Sequence, residues 1–150
     1  AHGKTENIKK ALQELSTVDC LLYAGDGVKD LLDDNFLNNT NIITVKGNRD
    51  FGVNCSKEKI VEIANKRIFL THGNNYKIKW GLDKLYYKAK EEAVDIVVFG
   101  HTHKKFAKEI EGILFFNPGS IALPRDGRYG SYGLLEINST KISYQHYELS

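Results

Sequence analysis

Four of the five histidines stand in settings from which a metal centre is easily built. His2 and His72 each precede a glycine, and His101 and His103 share the run Gly100-His101-Thr102-His103. Gly25-Asp26 and Gly47-Asn48 carry the same punctuation with a carboxylate and a carboxamide. The runs at Gly25, Gly47, His72 and Gly100 each follow an apolar or β-branched segment, which predicts that each lies at a strand end. In open α/β sheets the ligand site lies beyond the carboxyl ends of the strands. Glycine beside each polar residue lets the backbone turn tightly and approach its neighbours. Four strand ends then bring Asp26, Asn48, His72, His101 and His103 to one point, and His2 joins them as a sixth donor. Imidazole, carboxylate and carboxamide donors without thiolate suit Mn²⁺, Fe²⁺ or Zn²⁺. Six donors exceed what one tetrahedral zinc takes. They match two ions about 3.5–4 Å apart, the arrangement used for in-line displacement at phosphorus. His146 lies inside a predicted strand with no glycine beside it, and is read as a structural histidine.

The elements that position these residues follow from periodicity. Ile8, Ala11, Leu12 and Leu15 repeat at helical spacing and predict a helix over Asn7–Leu15, with Thr5 as its cap. Cys20–Ala24 reads as a strand, Val28–Phe36 as a second helix, and Asn41–Val45 as another strand. Lys59–Ile63 and Arg67–Leu70 predict a hairpin turned at Asn65-Lys66. Lys77–Ala93 is helix-compatible, with Ile78, Leu82, Leu85, Tyr86 and Ala89 as its inner stripe. Asp95–Phe99 is a continuous apolar strand of the kind buried on both faces. Only strands follow: Phe106–Ile110, Ile113–Phe116, Tyr132–Ile137 and Ile142–Glu148. Helices alternating with strands and then a meander predict an α/β chain on two packed sheets, because one sheet holds about eight strands only by curling.

Composition narrows the partners. The 150 residues carry 21 Lys and Arg against 19 Asp and Glu, a net +2, with 41% hydrophobic residues. So small an excess gives no nucleic-acid surface, which needs a clustered basic face. No apolar run reaches the ~18 residues of a membrane span, and no secretory leader is visible. Cys20 and Cys55 lack ligand spacing and suit a reducing compartment. Cys20 is expected to be a small buried hydrophobe. A cytoplasmic location is expected, and the Asn-x-Ser/Thr matches at Asn38, Asn54 and Asn138 read as chance.

The ordered fragments Ala1-His2-Gly3, Gly25-Asp26, Gly47-Asn48-Arg49-Asp50, His72-Gly73 and Gly100-His101-Thr102-His103 resemble the calcineurin-like metallophosphoesterase superfamily. Asn117-Pro118-Gly119-Ser120 and Pro124-Arg125 add a resemblance to its small bacterial and archaeal phosphodiesterase branch. The resemblance covers residues 1–150 as a single domain and implies a four-layer sandwich, two mixed sheets flanked by helices. It implies that His2 and His103 bind one metal, that Asn48, His72 and His101 bind the other, and that Asp26 bridges them. The two divalent ions would be Mn²⁺ foremost, with Fe, Zn, Ni or Mg as alternatives. A hydroxide bridging them would attack the phosphorus of a small phosphate-ester substrate, with Asp26, Asn48 and Arg49 as the catalytic set. Arg49 stands where many members have a histidine that protonates the leaving oxygen, and guanidinium cannot donate a proton near neutrality. Asn74 stands where relatives often have a second histidine. The family's first ligand is an Asp two residues before the His2 position. A short β-branched strand ending in that Asp is therefore expected ahead of Ala1. The alternative function is a non-catalytic protein-binding scaffold on the same fold, as in the eukaryotic retromer subunit; homo-oligomerisation is left open.

Overall fold

A computed structural model describes residues 2–15, 18–25, 28, 41–48, 50, 55–121 and 130–149, the side chains of residues 2–5 and 79 excepted. Among them two helices, α1 (His2–Glu14) and α2 (Asp83–Glu91), accompany nine strands. The strands are β1 (Leu21–Tyr23), β2 (Ile42–Thr44), β3 (Glu58–Ile63), β4 (Lys66–Thr71) and β5 (Ile96–Val98), then β6 (Lys105–Ile110), β7 (Ile113–Pro118), β8 (Ser131–Ile137) and β9 (Ile142–Glu148). A five-stranded mixed sheet runs in the order β3-β4-β5-β7-β6, while β1-β2 and β8-β9 form separate two-stranded ladders. β4, β5 and β7 are parallel, and β1 is parallel to β2. Their carboxyl ends lead to His72, Gly100 and Asn117.

The apolar runs of β4, β5 and β7 are continuous because both faces of this sheet are covered. Phe69, Val97 and Phe115 point to α2, where Leu85 and Ala89 are buried against them together with Ile78 from the turn ahead of it. Ile68, Leu70, Ile96, Val98, Leu114 and Phe116 point the other way, onto Leu22, Ile43, Leu135 and Ile142 of the two ladders. Leu21, Tyr23 and Ile42 alternate to the far side of their ladder and receive Ile8 and Leu12 of α1. The layers therefore stack as α2, sheet, ladders and α1. Removing one of the large buried rings, such as Phe115→Ala, would cost about 3–5 kcal/mol by the usual transfer and cavity terms.

Several sequence expectations need correction. Thr5 does not cap α1, which starts three residues earlier, at His2. The hairpin turns at Ala64 and Asn65, both left-handed at φ 50° and 68°, while Lys66 already begins β4. Lys77–Ala93 is not one helix: two 3₁₀ turns (Asn74–Tyr76 and Ile78–Trp80) precede α2. Lys77 at φ 50° and Gly81 at φ 135° interrupt the α conformation. Its inner stripe nevertheless packs as a unit, with Leu82 and Tyr86 completing the cluster. Cys20 is half-buried rather than buried; desolvation and then the Asp19 carboxylate push its thiol pKa up. The expected second helix, Val28–Phe36, lies outside the described residues except for buried Val28. No described helix is long and apolar enough to cross a membrane.

Candidate metal centre

His72 follows β4 and is 2% exposed. Its Nδ1 lies 2.7 Å from the carbonyl oxygen of Ala24, the residue after β1. A carbonyl only accepts, so Nδ1 carries the ring proton and Nε2 presents its lone pair. That lone pair faces His101 Nδ1 at 3.1 Å, the rings meeting edge to face with centroids 5.0 Å apart. Two nitrogens held cis on one ion at about 2.1 Å would stand about 3 Å apart. The chemistry and separation of this pair thus fit a single divalent cation. The carbonyl fixing the ring from behind is the usual outer support of a ligating histidine.

The loops around the pair are locked backbone to backbone. Gly25 has φ 101°, and a Cβ there would lie 2.6 Å from Gly47 N and 3.0 Å from His72 Nδ1. Only glycine lets the β1 and β2 loops meet at that distance. Asp50 pins the same two loops: its carboxylate accepts from Gly47 N at 2.8 Å and Val28 N at 3.1 Å. Asn48 sits between Gly47 and Asp50 as an exposed turn residue.

His101 and His103 both adopt left-handed backbone conformations, φ 70° and 60°. Such angles are uncommon outside glycine and tend to collect at functional sites. Asn117, at 0% exposure in β7, holds this loop. Its Nδ2 donates to Gly100 O at 3.2 Å and Thr102 Oγ1 at 3.1 Å, and its Oδ1 accepts from Gly119 N at 2.9 Å. Behind it, His146 Nε2 donates to Asn117 O at 2.7 Å while the imidazole stacks on Phe116 at 4.5 Å. His146 thus has a supporting place in the fold.

The structure therefore brings together His72 and His101, with half-buried His103 lining the same cavity as both. No group of three or more His, Cys, Asp or Glu that could hold a metal forms among the described residues. Asp26 and Arg49 lie outside those residues, and His2 opens α1 with its side chain also outside them. Asp50, Thr102 and Asn117 were not read from the sequence as site residues. Two had a signal: Asn117 is a carboxamide closing the apolar run Ile113–Phe116 at a strand end, and Asp50 closes the run Gly47-Asn48-Arg49-Asp50.

Comparisons with known proteins identify the family of the fold. The family model described as "Calcineurin-like phosphoesterase superfamily domain" matches residues 1–140. A probable metallophosphoesterase of Bacillus subtilis, YsnB, is 32% identical over 149 residues, 99% of this chain and 86% of that protein. The phosphodiesterase MJ0936 of Methanocaldococcus jannaschii is 31% identical over 136 residues, 79% of this chain and 78% of its own length. Among solved structures, a predicted phosphoesterase from Streptococcus pneumoniae superposes with TM-score 0.83 at 30% identity, covering 97% of this chain and 83% of that one. Vps29 of Entamoeba histolytica, solved with zinc, gives TM-score 0.74 at 30% identity over 92% of this chain and 81% of that one.

Proposed function

This chain belongs to the calcineurin-like phosphoesterase superfamily, and from that premise we propose that it is a metal-dependent phosphodiesterase with a two-ion centre. The observation that carries this reading is the His72–His101 pair, one ring fixed by Ala24 O and its Nε2 only 3.1 Å from His101 Nδ1. His72, His101 and Asn48 would hold one divalent ion, His2 and His103 the other, and Asp26 would bridge them. Mn²⁺ is the first candidate, and zinc in the Vps29 relative shows that other divalent ions enter such a fold. When bound, such ions supply Lewis acidity toward a phosphoryl oxygen and acidify a bound water.

The chain's own residues supply position and charge. Ala24 O keeps His72 in one tautomer, and Asn117 keeps the His101–His103 loop in its left-handed turns. Arg49 stays cationic and offsets negative charge on the phosphoryl oxygens without donating a proton. A site without a titratable acid there favours esters with good leaving groups. Asn74, exposed just after His72-Gly73, offers no proton donor either.

The test uses bis(4-nitrophenyl) phosphate as an activated diester and 4-nitrophenyl phosphate as the monoester. Hydrolysis of the diester should rise with added Mn²⁺ and vanish with chelator, and Arg49→Ala should lower kcat/KM. Full turnover by metal-free protein would sink the proposal. A scaffold role is the second reading, favoured by the Vps29 likeness and by Trp80 at 89% and Tyr87 at 69% exposure. A chain that binds metal tightly and hydrolyses neither ester would support it.

A further inference from the structure

His146 lies in β9, yet its ring rests against the strand end that carries Asn117. Its register partner across the β8-β9 ladder is Gly133. A Cβ on Gly133 would stand 2.3 Å from Phe116 Cε2, so the missing side chain is what admits the Phe116 ring to this face. His146 stacks on that ring, 9° from parallel with centroids 4.5 Å apart, and Tyr144 meets it edge to face at 5.8 Å. Alternation along β9 puts residues 144 and 146 on this one face. The stack fixes the imidazole plane and delivers Nε2 to Asn117 O at 2.7 Å. A carbonyl only accepts, so Nε2 carries the ring proton.

The landing point of this bond is a weak spot in the sheet. β7 keeps register with β5 only as far as Phe116, opposite Val98. At Asn117 the side chain takes over, its carboxamide reaching Gly100 O and Thr102 Oγ1. Pro118, the next residue, has no N–H to donate. The β8-β9 ladder grips these two residues from the neighbouring layer, with His146 Nε2 on Asn117 O and Ser131 Oγ on Pro118 O at 2.8 Å. Hydrogen bonds weaken steeply as they bend, so a carboxamide making three directed bonds needs its main chain held still.

We propose that His146 is a positioning residue of the metal centre: by holding the Asn117 main chain, it keeps the carboxamide aimed at the loop that carries His101 and His103. This inference rests on the metal-dependent reading above. The role requires the donor at Nε2, whereas packing requires only the ring, and the two can be separated.

His146→Phe keeps a ring on Phe116 and deletes the donor. His146→Gln keeps an N–H near the Nε2 position and deletes the ring. Tyr144→Ala removes the other ring on Phe116 and leaves the donor in place. Titration calorimetry should show Mn²⁺ affinity about 10-fold lower in His146→Phe but within about twofold of wild type in His146→Gln. Tyr144→Ala should lower Tm and leave Mn²⁺ affinity unchanged. In metal-free protein the Gly119 amide, held by Asn117 Oδ1 at 2.9 Å, should exchange faster in His146→Phe than in His146→Gln. Wild-type affinity in folded His146→Phe overturns the proposal, and so does an equal loss in Tyr144→Ala, which would make the effect one of packing. Should His146→Phe not fold, His146→Gln decides alone: near wild-type affinity at a lowered Tm supports the proposal, and a loss of about tenfold overturns it. A wild-type chain that binds no Mn²⁺ ends both readings, whereas tight binding that His146→Phe leaves untouched ends this one alone.

Discussion

Left-handed backbone at His101 and His103 is held at roughly 1–3 kcal/mol per residue against ordinary angles. The force opposing that strain is local: Asn117 spends its whole carboxamide on Gly100 O, Thr102 Oγ1 and Gly119 N. Asn117→Ala should therefore leave the fold intact but weaken Mn²⁺ binding about 10–100-fold, the usual loss when an outer support of a ligand is removed. Titration calorimetry on the folded variant measures this, and an unchanged affinity would show that the loop holds itself. Gly25→Ala is the harsher change, because its Cβ would stand 2.6 Å from Gly47 N in a left-handed conformation. It should lower both thermal stability and Mn²⁺ affinity, whereas a variant with wild-type values would show that the loops can separate freely. His72 and His101 stood out in the sequence because each adjoins a glycine. Asn117 did not, since its role depends on β7 lying next to β5, a pairing that no local pattern announces.

Strands were the readable elements, and the reason is physical. β4, β5 and β7 are buried on both faces, so their composition alone declares them, and β9 matched its predicted span residue for residue. Lys77–Ala93 was misread as one helix because periodicity cannot see the φ of Lys77 or Gly81. The stripe survived because 3₁₀ turns also return side chains to one side every three residues. Pairing between α1 and β8 was equally invisible: Tyr132 OH donates to Glu14 at 2.6 Å, 118 positions away. Burial and then that carboxylate raise the Tyr132 pKa from 10.0 to about 12. A pKa raised on folding means that stability is fully present below the unfolded value and is lost as pH rises through the folded one. Unfolding experiments should therefore show stability falling between about pH 10 and 12, more steeply than in Tyr132→Phe. Parallel curves for the two proteins would remove this contact from the alkaline response.

At the scale of the whole molecule, His72 and His101 stand 29 positions apart in the chain and meet only because β4 and β5 lie side by side. Metal should bind the folded state alone and stabilise it, by about 2.7 kcal/mol at a hundredfold excess over Kd. Calorimetry should show Tm rising by several degrees with Mn²⁺, reversing with chelator and absent in His72→Ala. A rise of equal size in that variant would place the metal elsewhere. Surface ion pairs such as Lys90–Glu111 and Arg67–Glu62 are exposed and contribute little. The contact of Gly25 on Gly47 carries a different message, one about descent. Where Gly25 meets Gly47 no side chain intervenes, so mutation at either position can neither widen nor narrow that gap in small steps. Any descendant of this chain that keeps the contact keeps the separation of the two loops with it.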